Sequence, residues 1–251
     1  MTDRLWIGTI SALLLLQTAF GASAQSNTQL WSEVRLDWIK SRDVTYSVTI
    51  EPKILVTAPA DDPWWATLDV TPSVEYTHGQ WIDVLGELMV GRTKQTDDLN
   101  STELTPRVGV RLHLLSNLEH DLVKEKVSRR RLVVRDLLRL EWRNLYYSTD
   151  KPDASTVRLR NRIELLYPIT RARITDAGAV YLSSDAEWFW PADDPDERFA
   201  NKQRLRAGFG YRRSRAWRFE ALVLADRSRD AADNGFTAVD YALDIKVRRV
   251  W

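Results

Sequence analysis

Histidine is the first residue type to consider for catalysis, because its imidazole exchanges protons near neutral pH. The chain has three, of which His78 falls in a predicted turn, His113 on a polar strand face and His120 in a predicted helix. None has a serine at a spacing typical of a catalytic triad, and no Gly-x-Ser-x-Gly or His-x-x-x-His pattern occurs. The sequence therefore predicts no catalytic residue and favours a protein that is not an enzyme.

Acidic residues cluster in the polar connections, where carboxylates could bind Ca²⁺. The clusters are Asp61-Asp62, Asp97-Asp98 and Asp193-Asp194 with Asp196 and Glu197. Their spacing fits no calcium motif, and the chain has no cysteine for a thiolate site. We expect solvated loop acids, no metal and no cofactor; bridging of lipopolysaccharide phosphates by divalent cations is a hypothesis.

Arginine and glutamate recur at every second position of several segments, which is the most informative polar feature. The candidate lining residues are Arg139, Glu141, Arg143, Arg158, Arg160, Arg162, Glu164, Asp185, Glu187, Arg204, Arg206, Arg218, Glu220, Lys246 and Arg248. If such faces meet inside a barrel, cross-strand ion pairs would rigidify and plug it. The alternative is a narrow channel with a positive wall that favours anions.

The elements that would position these charges are β-strands, because apolar and polar residues alternate with a period of two from Gln29 onward. The predicted strands are about 30–40, 45–57, 66–76, 81–92, 103–114, 131–147, 156–168, 179–190, 201–212, 217–227 and 236–251. Many approach the length of about 9–11 residues that a tilted membrane strand needs.

The connections alternate between short turns and long polar loops, as in outer-membrane barrels with short periplasmic turns. The exception is 115–130, which we predict to be a short helix with a Ser116–Glu119 capping box; a further strand is the competing interpretation. Eleven strands would begin on the side opposite to the C-terminus, and bacterial barrels have even strand numbers. We therefore expect about twelve strands, or ten, in an all-β, single antiparallel transmembrane barrel.

The N-terminus has the features of a secretory signal peptide. Arg4 precedes the apolar run 5–20, and Ala22-Ser23-Ala24 offers a cleavage site before Gln25. We predict a cleaved segment 1–24 and a barrel over 25–251; the alternative is an N-terminal membrane anchor. With 36 basic against 35 acidic residues and a net charge of +1, no nucleic-acid partner is indicated.

The charged faces are expected to point into the lumen, since a barrel of ten or more strands is too wide for apolar side chains to fill. Aromatic residues near strand ends would form the girdles of a membrane barrel. These are Trp31, Trp38, Trp64, Trp65, Trp81, Trp188, Trp190, Trp217, Trp251, Tyr46, Tyr76, Tyr146, Tyr147 and Tyr167. The alternative is a soluble β-sandwich with a solvated charged face.

The last strand sets Tyr241 and Trp251 on one apolar face with Leu243, Ile245 and Val247. It resembles the C-terminal strand that barrel-assembly machinery reads in outer-membrane proteins, so Tyr241 and Trp251 are the candidate assembly signal. We expect Trp251 to lie at the periplasmic interface and to close the barrel against an antiparallel N-terminal strand. Arg249 interrupts the apolar face, and we expect its head to reach the lipid headgroups.

Almost the whole chain after the signal segment resembles domain-of-unknown-function family 2490, a family of proteobacterial outer-membrane proteins. The resemblance is found in "LWSEVRLDW", "RTKQTDDLNSTELTPRVGVR", "LVVRDLLRLEWRNLYY", "VRLRNRIELLYPI", "DAEWFW" and "ERFANKQRLRAGFGYR". It implies a β-barrel in the outer membrane of a Gram-negative bacterium and supplies no catalytic residue.

We therefore expect an outer-membrane barrel that acts as a structural barrel or as a narrow, porin-like pore or transport component. Its expected partners are outer-membrane lipids, lipopolysaccharide and the barrel-assembly machinery. Two alternatives are an outer-membrane enzyme acting on lipid or lipopolysaccharide and a soluble periplasmic β-protein.

Overall fold

The described part of the chain folds as a meander of eleven β-strands. The computed structural model describes residues 27–57, 63–79, 81–96, 100–115, 132–192, 202–228 and 238–251. The strands are β1 Thr28–Ile39, β2 Val44–Thr57, β3 Trp65–His78, β4 Ile82–Gln95, β5 Ser101–His113, β6 Val133–Tyr147, β7 Ala154–Pro168, β8 Ala179–Pro191, β9 Lys202–Arg212, β10 Trp217–Ser228 and β11 Ala238–Val250. All eleven correspond to segments predicted from the period of two.

The strands form one closed barrel in which each strand bonds to its neighbours in sequence and β1 bonds to β11. Every sequential pair is antiparallel, whereas β1 and β11 are parallel, with Leu30 opposite Leu243 and Val34 opposite Val247. The barrel is thus mixed. Because it is closed, no sheet edge is left unpaired.

The expectation of twelve strands, or ten, is wrong, and so is the expected antiparallel partner for the last strand. In a meander with an odd number of strands, the first and the last run in the same direction. Closure must then be parallel, and a parallel ladder satisfies the backbone groups with evenly spaced, slanted hydrogen bonds. The count of eleven segments needed no correction; the error lay in the assumption that the strand number must be even.

The strand directions define two ends of the barrel. Odd-numbered strands finish at what we call the C-terminal end, together with Trp251 and the short turns 40–43 and 213–216. Residue 27 and the 148–153 connection lie at the opposite, N-terminal end. The 169–178 connection also belongs to the C-terminal end, where its Ile174 is buried against Leu166 and Tyr181.

Alternation along each strand separates the two faces of the barrel wall. In β4, Asp83 and Leu85 are buried inside, whereas Val84 and Leu88 are exposed outside. The predicted polar faces of the other strands follow the same alternation, so the charges lie inside a closed barrel and not on the outer face of a β-sandwich.

Several predicted features lie outside the described residues. They are the signal peptide, almost all of the predicted 115–130 helix, His120 and the acidic pairs at 61–62, 97–98 and 193–194. Among the described residues, no helix has the length and apolar character needed to span a bilayer.

Candidate functional site

The candidate site is the interior of the barrel, which is filled by ion pairs. The buried charged side chains include Arg139, Glu141, Arg143, Arg158, Glu187, Arg206 and Glu220 from the predicted lining set. The remaining members, Arg160, Arg162, Glu164, Asp185, Arg204, Arg218, Lys246 and Arg248, occupy inward positions of the same strands. The alternation of β6 to β11 brings all of them to one face.

Two glutamates form the centre of this network, and both are fully buried. The carboxylate of Glu141 in β6 accepts hydrogen bonds from Arg158, and its other oxygen lies 2.9 Å from Nε of Arg139. Arg107 and Arg160 approach the same oxygen at 3.6 and 3.5 Å. Four guanidinium groups therefore surround one carboxylate.

The second glutamate, Glu187 in β8, has a similar arrangement. Arg160 donates to one oxygen, while Arg204 and Arg206 lie 3.4 and 3.7 Å from the other. Arg160 also contacts Glu141, so it links the two carboxylates across adjacent strands. Arginine suits this position because its planar fork offers several donors in fixed directions.

The network extends beyond adjacent strands. Arg139 in β6 donates to Glu87 in β4 at 2.7 Å, over the intervening β5. On the other side, Arg206 in β9 lies 3.7 Å from Asp244 in β11. These contacts tie non-neighbouring strands together through the lumen, which a ladder of backbone hydrogen bonds does not do.

Breaking such a network is costly. Removing one partner of a buried ion pair typically costs about 3–5 kcal/mol, because the other charge remains buried without compensation. The network thus fixes the interior arrangement, although a buried pair is by itself weak support for overall stability.

Aromatic rings inside the lumen add a second kind of contact. The ring of Phe189 lies under the guanidinium groups of Arg158, Arg160 and Arg204, with centroid distances of 4.8, 4.8 and 5.2 Å. Such cation–π contacts gain strength where water is excluded. Sequence reasoning missed Phe189, although it shares the parity of Asp185 and Glu187 in β8.

Trp31 belongs to this interior and not to the outer girdle, which corrects the prediction. Its buried ring packs on Leu224 and Ala242. Lys53 lies 5.1 Å from the ring centroid, and Arg204, three strands away around the barrel, lies 4.7 Å from it. The signal was present in the sequence, because Trp31 has the parity of Glu33 and Arg35.

Other aromatic residues lie on the outer face of the barrel. Many of the predicted girdle residues are exposed, among them Trp38, Tyr46, Trp64, Tyr76, Trp81, Tyr146, Trp190 and Trp251. Trp142 is exposed as well.

A charged cavity of about 120 Å³ occupies the C-terminal half of the lumen. Its lining includes Arg35, Arg111, Arg162 and Glu164 deeper in the wall, and Arg215 from the 213–216 turn. This volume is several times the roughly 10–15 Å³ that one water molecule needs. The cavity therefore has room for a small solute.

His113 is held at this cavity by an acidic partner that the sequence did not reveal. Its Nε2 lies 2.8 Å from Asp83, which also accepts from Thr77 at 3.0 Å. The other ring nitrogen has no hydrogen-bond partner in the described part of the chain. A His–Asp pair is thus present, but no hydroxyl of the described residues is bonded to the second ring nitrogen of His113. His78 is exposed at the end of β3.

No group of histidine, cysteine, aspartate or glutamate side chains within the described ranges could hold a metal ion. The predicted acidic clusters at 61–62, 97–98 and 193–197 lie outside those ranges.

The candidate assembly residues lie along the seam between β1 and β11. The backbone N–H of Trp251 donates to Asp37 O at 3.0 Å, and its carbonyl accepts from Ile39 at 3.2 Å. At the other end of the seam, Tyr241 donates to Asn27 O at 2.8 Å. The terminal tryptophan is thus hydrogen-bonded to the first strand.

Arg249, the charged residue on the apolar face, lies between two rings of that face. Its guanidinium is 4.7 Å from the Trp217 ring centroid and 5.3 Å from that of Trp251. Cation–π contact explains how this charge is accommodated on the outer face.

One protein family matches this chain. The family model described as protein of unknown function (DUF2490) matches residues 70–237, from β3 to the residue before β11. The chain belongs to this family. The match includes β6 to β10, which supply Glu141, Glu187 and most of the arginines around them. No similar sequence was found among curated proteins.

Proposed function

We propose that this DUF2490 barrel spans the outer membrane and that its role is structural, with a lumen closed by ion pairs. The observation that supports membrane insertion is the inverted polarity of the wall. Charged side chains such as Glu141 and Glu187 are buried inside, whereas large apolar side chains are exposed outside.

The exposed apolar residues occur all around the barrel. They include Leu30, Val34, Leu68, Val90, Val108, Leu138, Ile163, Leu182, Leu205, Val223 and Leu243. Soluble monomers rarely expose continuous apolar patches above a few hundred Å². Hydrocarbon is the environment in which such a surface is stable.

Strand length agrees with this proposal. The shortest strand, β9, has 11 residues, and β6 and β7 have 15 each. A tilted strand needs about 9–11 residues to cross the hydrocarbon core. Every strand is thus long enough to cross.

Orientation follows from the short turns, which belong on the periplasmic side in barrels of this kind. The C-terminal end with Trp251 would then face the periplasm, and residue 27 would face the exterior. This places the start of β1 opposite to the side from which an exported chain arrives. The eleven-strand count makes that arrangement unavoidable if the C-terminus is periplasmic.

Single cysteines test location and orientation together, because the chain has none of its own. Asp150→Cys lies at the N-terminal end and Arg42→Cys at the C-terminal end, both at exposed positions. In intact cells a membrane-impermeant maleimide should label Asp150→Cys, and Arg42→Cys only after permeabilisation. Recovery of the protein in a soluble periplasmic fraction would refute the proposal, and the reverse labelling pattern would refute the orientation.

A closed lumen is supported by the complete burial of Glu141 and Glu187 beneath their arginines. In planar bilayers we expect no current above baseline, with insertion verified by flotation of proteoliposomes. Discrete conductance steps with anion preference would instead support the alternative, a narrow pore with a positive wall.

A further inference from the structure

The cavity at the C-terminal end has an excess of positive charge. Nine arginine and lysine side chains line it, against seven aspartates and glutamates. Mixed charge alone would indicate a structural ion-pair network, so the decisive question is which of these charges are already compensated.

The acidic residues of the lining are all engaged. Their partners are Lys246 for Glu33 at 3.1 Å, Arg35 for Asp37 at 2.8 Å, Arg111 for Glu75 at 2.7 Å, His113 for Asp83 at 2.8 Å, Arg135 for Glu164 at 2.6 Å, Arg206 for Asp185 at 2.9 Å and Tyr181 for Glu220 at 2.8 Å. No lining acid is therefore left over to neutralise a further cation.

Arg162 is a lining cation that lacks an ion-pair partner among the described residues. No carboxylate of the described residues lies within the 4.0 Å of an ion pair from its guanidinium. Its cross-strand neighbour in β8 is Glu187, but that carboxylate is held by Arg160, Arg204 and Arg206. Its neighbour in β6 is the apolar Leu137.

Arg162 shares this part of the cavity with other guanidinium groups. The Glu164 carboxylate interacts electrostatically with four guanidinium groups, those of Arg111, Arg135, Arg162 and Arg218. Arg111 also pairs with Glu75 at 2.7 Å and Arg218 lies 3.7 Å from Glu220, whereas Arg162 has Glu164, Asp185 and Glu187 only as more distant electrostatic neighbours. An additional anion placed among them would lower their mutual repulsion.

We propose that the cavity binds a phosphate-type oxyanion, with Arg162 as the main donor and Arg218 as a second one. The guanidinium fork matches two oxygens of such an anion and forms charge-assisted hydrogen bonds with it. The cavity volume of about 120 Å³ accommodates an oxyanion of a few heavy atoms. This inference concerns one end of the lumen and does not depend on membrane location or on a lumen that is sealed to ions.

The test measures phosphate binding to the full chain in detergent by calorimetry, at constant ionic strength set with chloride. Wild type should bind inorganic phosphate, and Arg162→Gln should bind it at least about tenfold more weakly through the loss of a charge-assisted pair. The matched control is Arg143→Gln, which removes the same charge at the N-terminal end, where Arg143 pairs with Glu103 at 3.0 Å. It should bind phosphate as wild type does.

Arg162 forms no ion pair with any residue that the structure describes, so its replacement should leave heat-modifiable gel migration unchanged. Arg162→Lys is a second variant, which keeps the charge but loses the fork. Absence of phosphate binding by wild type, or equal weakening in Arg162→Gln and Arg143→Gln, would overturn the proposal. Glycerol 3-phosphate distinguishes two sources of the anion. Binding of inorganic phosphate alone identifies a free ion, and binding of both identifies a phosphate group presented by a larger molecule such as a lipid headgroup.

Discussion

The indole of Trp251 lies parallel to that of Trp38, with ring centroids 5.3 Å apart and an interplanar angle of 7°. Trp38 belongs to β1 and Trp251 directly follows β11, and the two rings meet because β11 runs parallel to β1. The last residue of the chain is therefore held by backbone hydrogen bonds and by ring stacking on the first strand.

Removing either ring should weaken closure of the barrel. In a double-mutant cycle with Trp38→Ala and Trp251→Ala, we expect a coupling free energy of about 0.5–1.5 kcal/mol, typical of aromatic pairs. Denaturant unfolding in detergent measures it. Trp142→Ala, at an exposed outer position away from the seam, is the control for loss of apolar area. Strictly additive effects of the two seam substitutions would show that the stacked rings contribute no coupling free energy.

The parallel register of the seam can be tested by disulfide formation. Val34 lies opposite Val247, so Val34→Cys with Val247→Cys should form a disulfide under mild oxidation. Val34→Cys with Leu243→Cys should not, because Leu243 lies opposite Leu30. Non-reducing electrophoresis of the two double variants distinguishes the registers, and efficient cross-linking of the 34–243 pair would contradict this register.

Glu141→Gln should destabilise the barrel by about 3–5 kcal/mol, because four arginines would lose their shared carboxylate while remaining buried. Glu164→Gln is the comparison, since its ion pair with Arg135 lines the cavity and is reached by water more easily. We expect a smaller loss there. Unfolding midpoints in the same detergent provide the measurement, and equal stability of Glu141→Gln and wild type would mean that the central network is not stabilising.

Gly210 should not tolerate a side chain. A Cβ at this position would lie 2.0 Å from the ring of Tyr181, which is fully buried and whose hydroxyl donates to Glu220 at 2.8 Å. Gly210→Ala should therefore cost about 1–3 kcal/mol through overpacking.

Gly86→Ala is the matched control for Gly210→Ala, because its Cβ would meet Val74 at an ordinary 3.5 Å. We expect Gly86→Ala to be neutral or slightly stabilising, since alanine lowers the entropy of the unfolded chain. Thermal unfolding checks both variants. Gly210→Ala should cost less in a Tyr181→Ser background than in the wild-type background, and an equal cost in both would indicate that the ring is not the obstacle.

Sequence reasoning located the strands and the charged faces because alternation is a local property with a fixed period. It could also have assigned Trp31 to the interior, since parity alone puts it with Glu33 and Arg35. The prediction failed there because position near a strand end was given more weight than parity.

The amino-acid sequence by itself determined eleven alternating segments, their polar faces and an aromatic last residue. Only the tertiary structure decided that these segments close as an odd-numbered barrel through a parallel seam. It also decided which charges pair, as in the hydrogen bond at 3.1 Å between Lys246 and Glu33, which are 213 residues apart in the chain. Closure of the barrel and the choice of ion-pair partners in the lumen depend on contacts between distant segments. Alternation of polar and apolar residues, by contrast, is a property of each strand's own sequence.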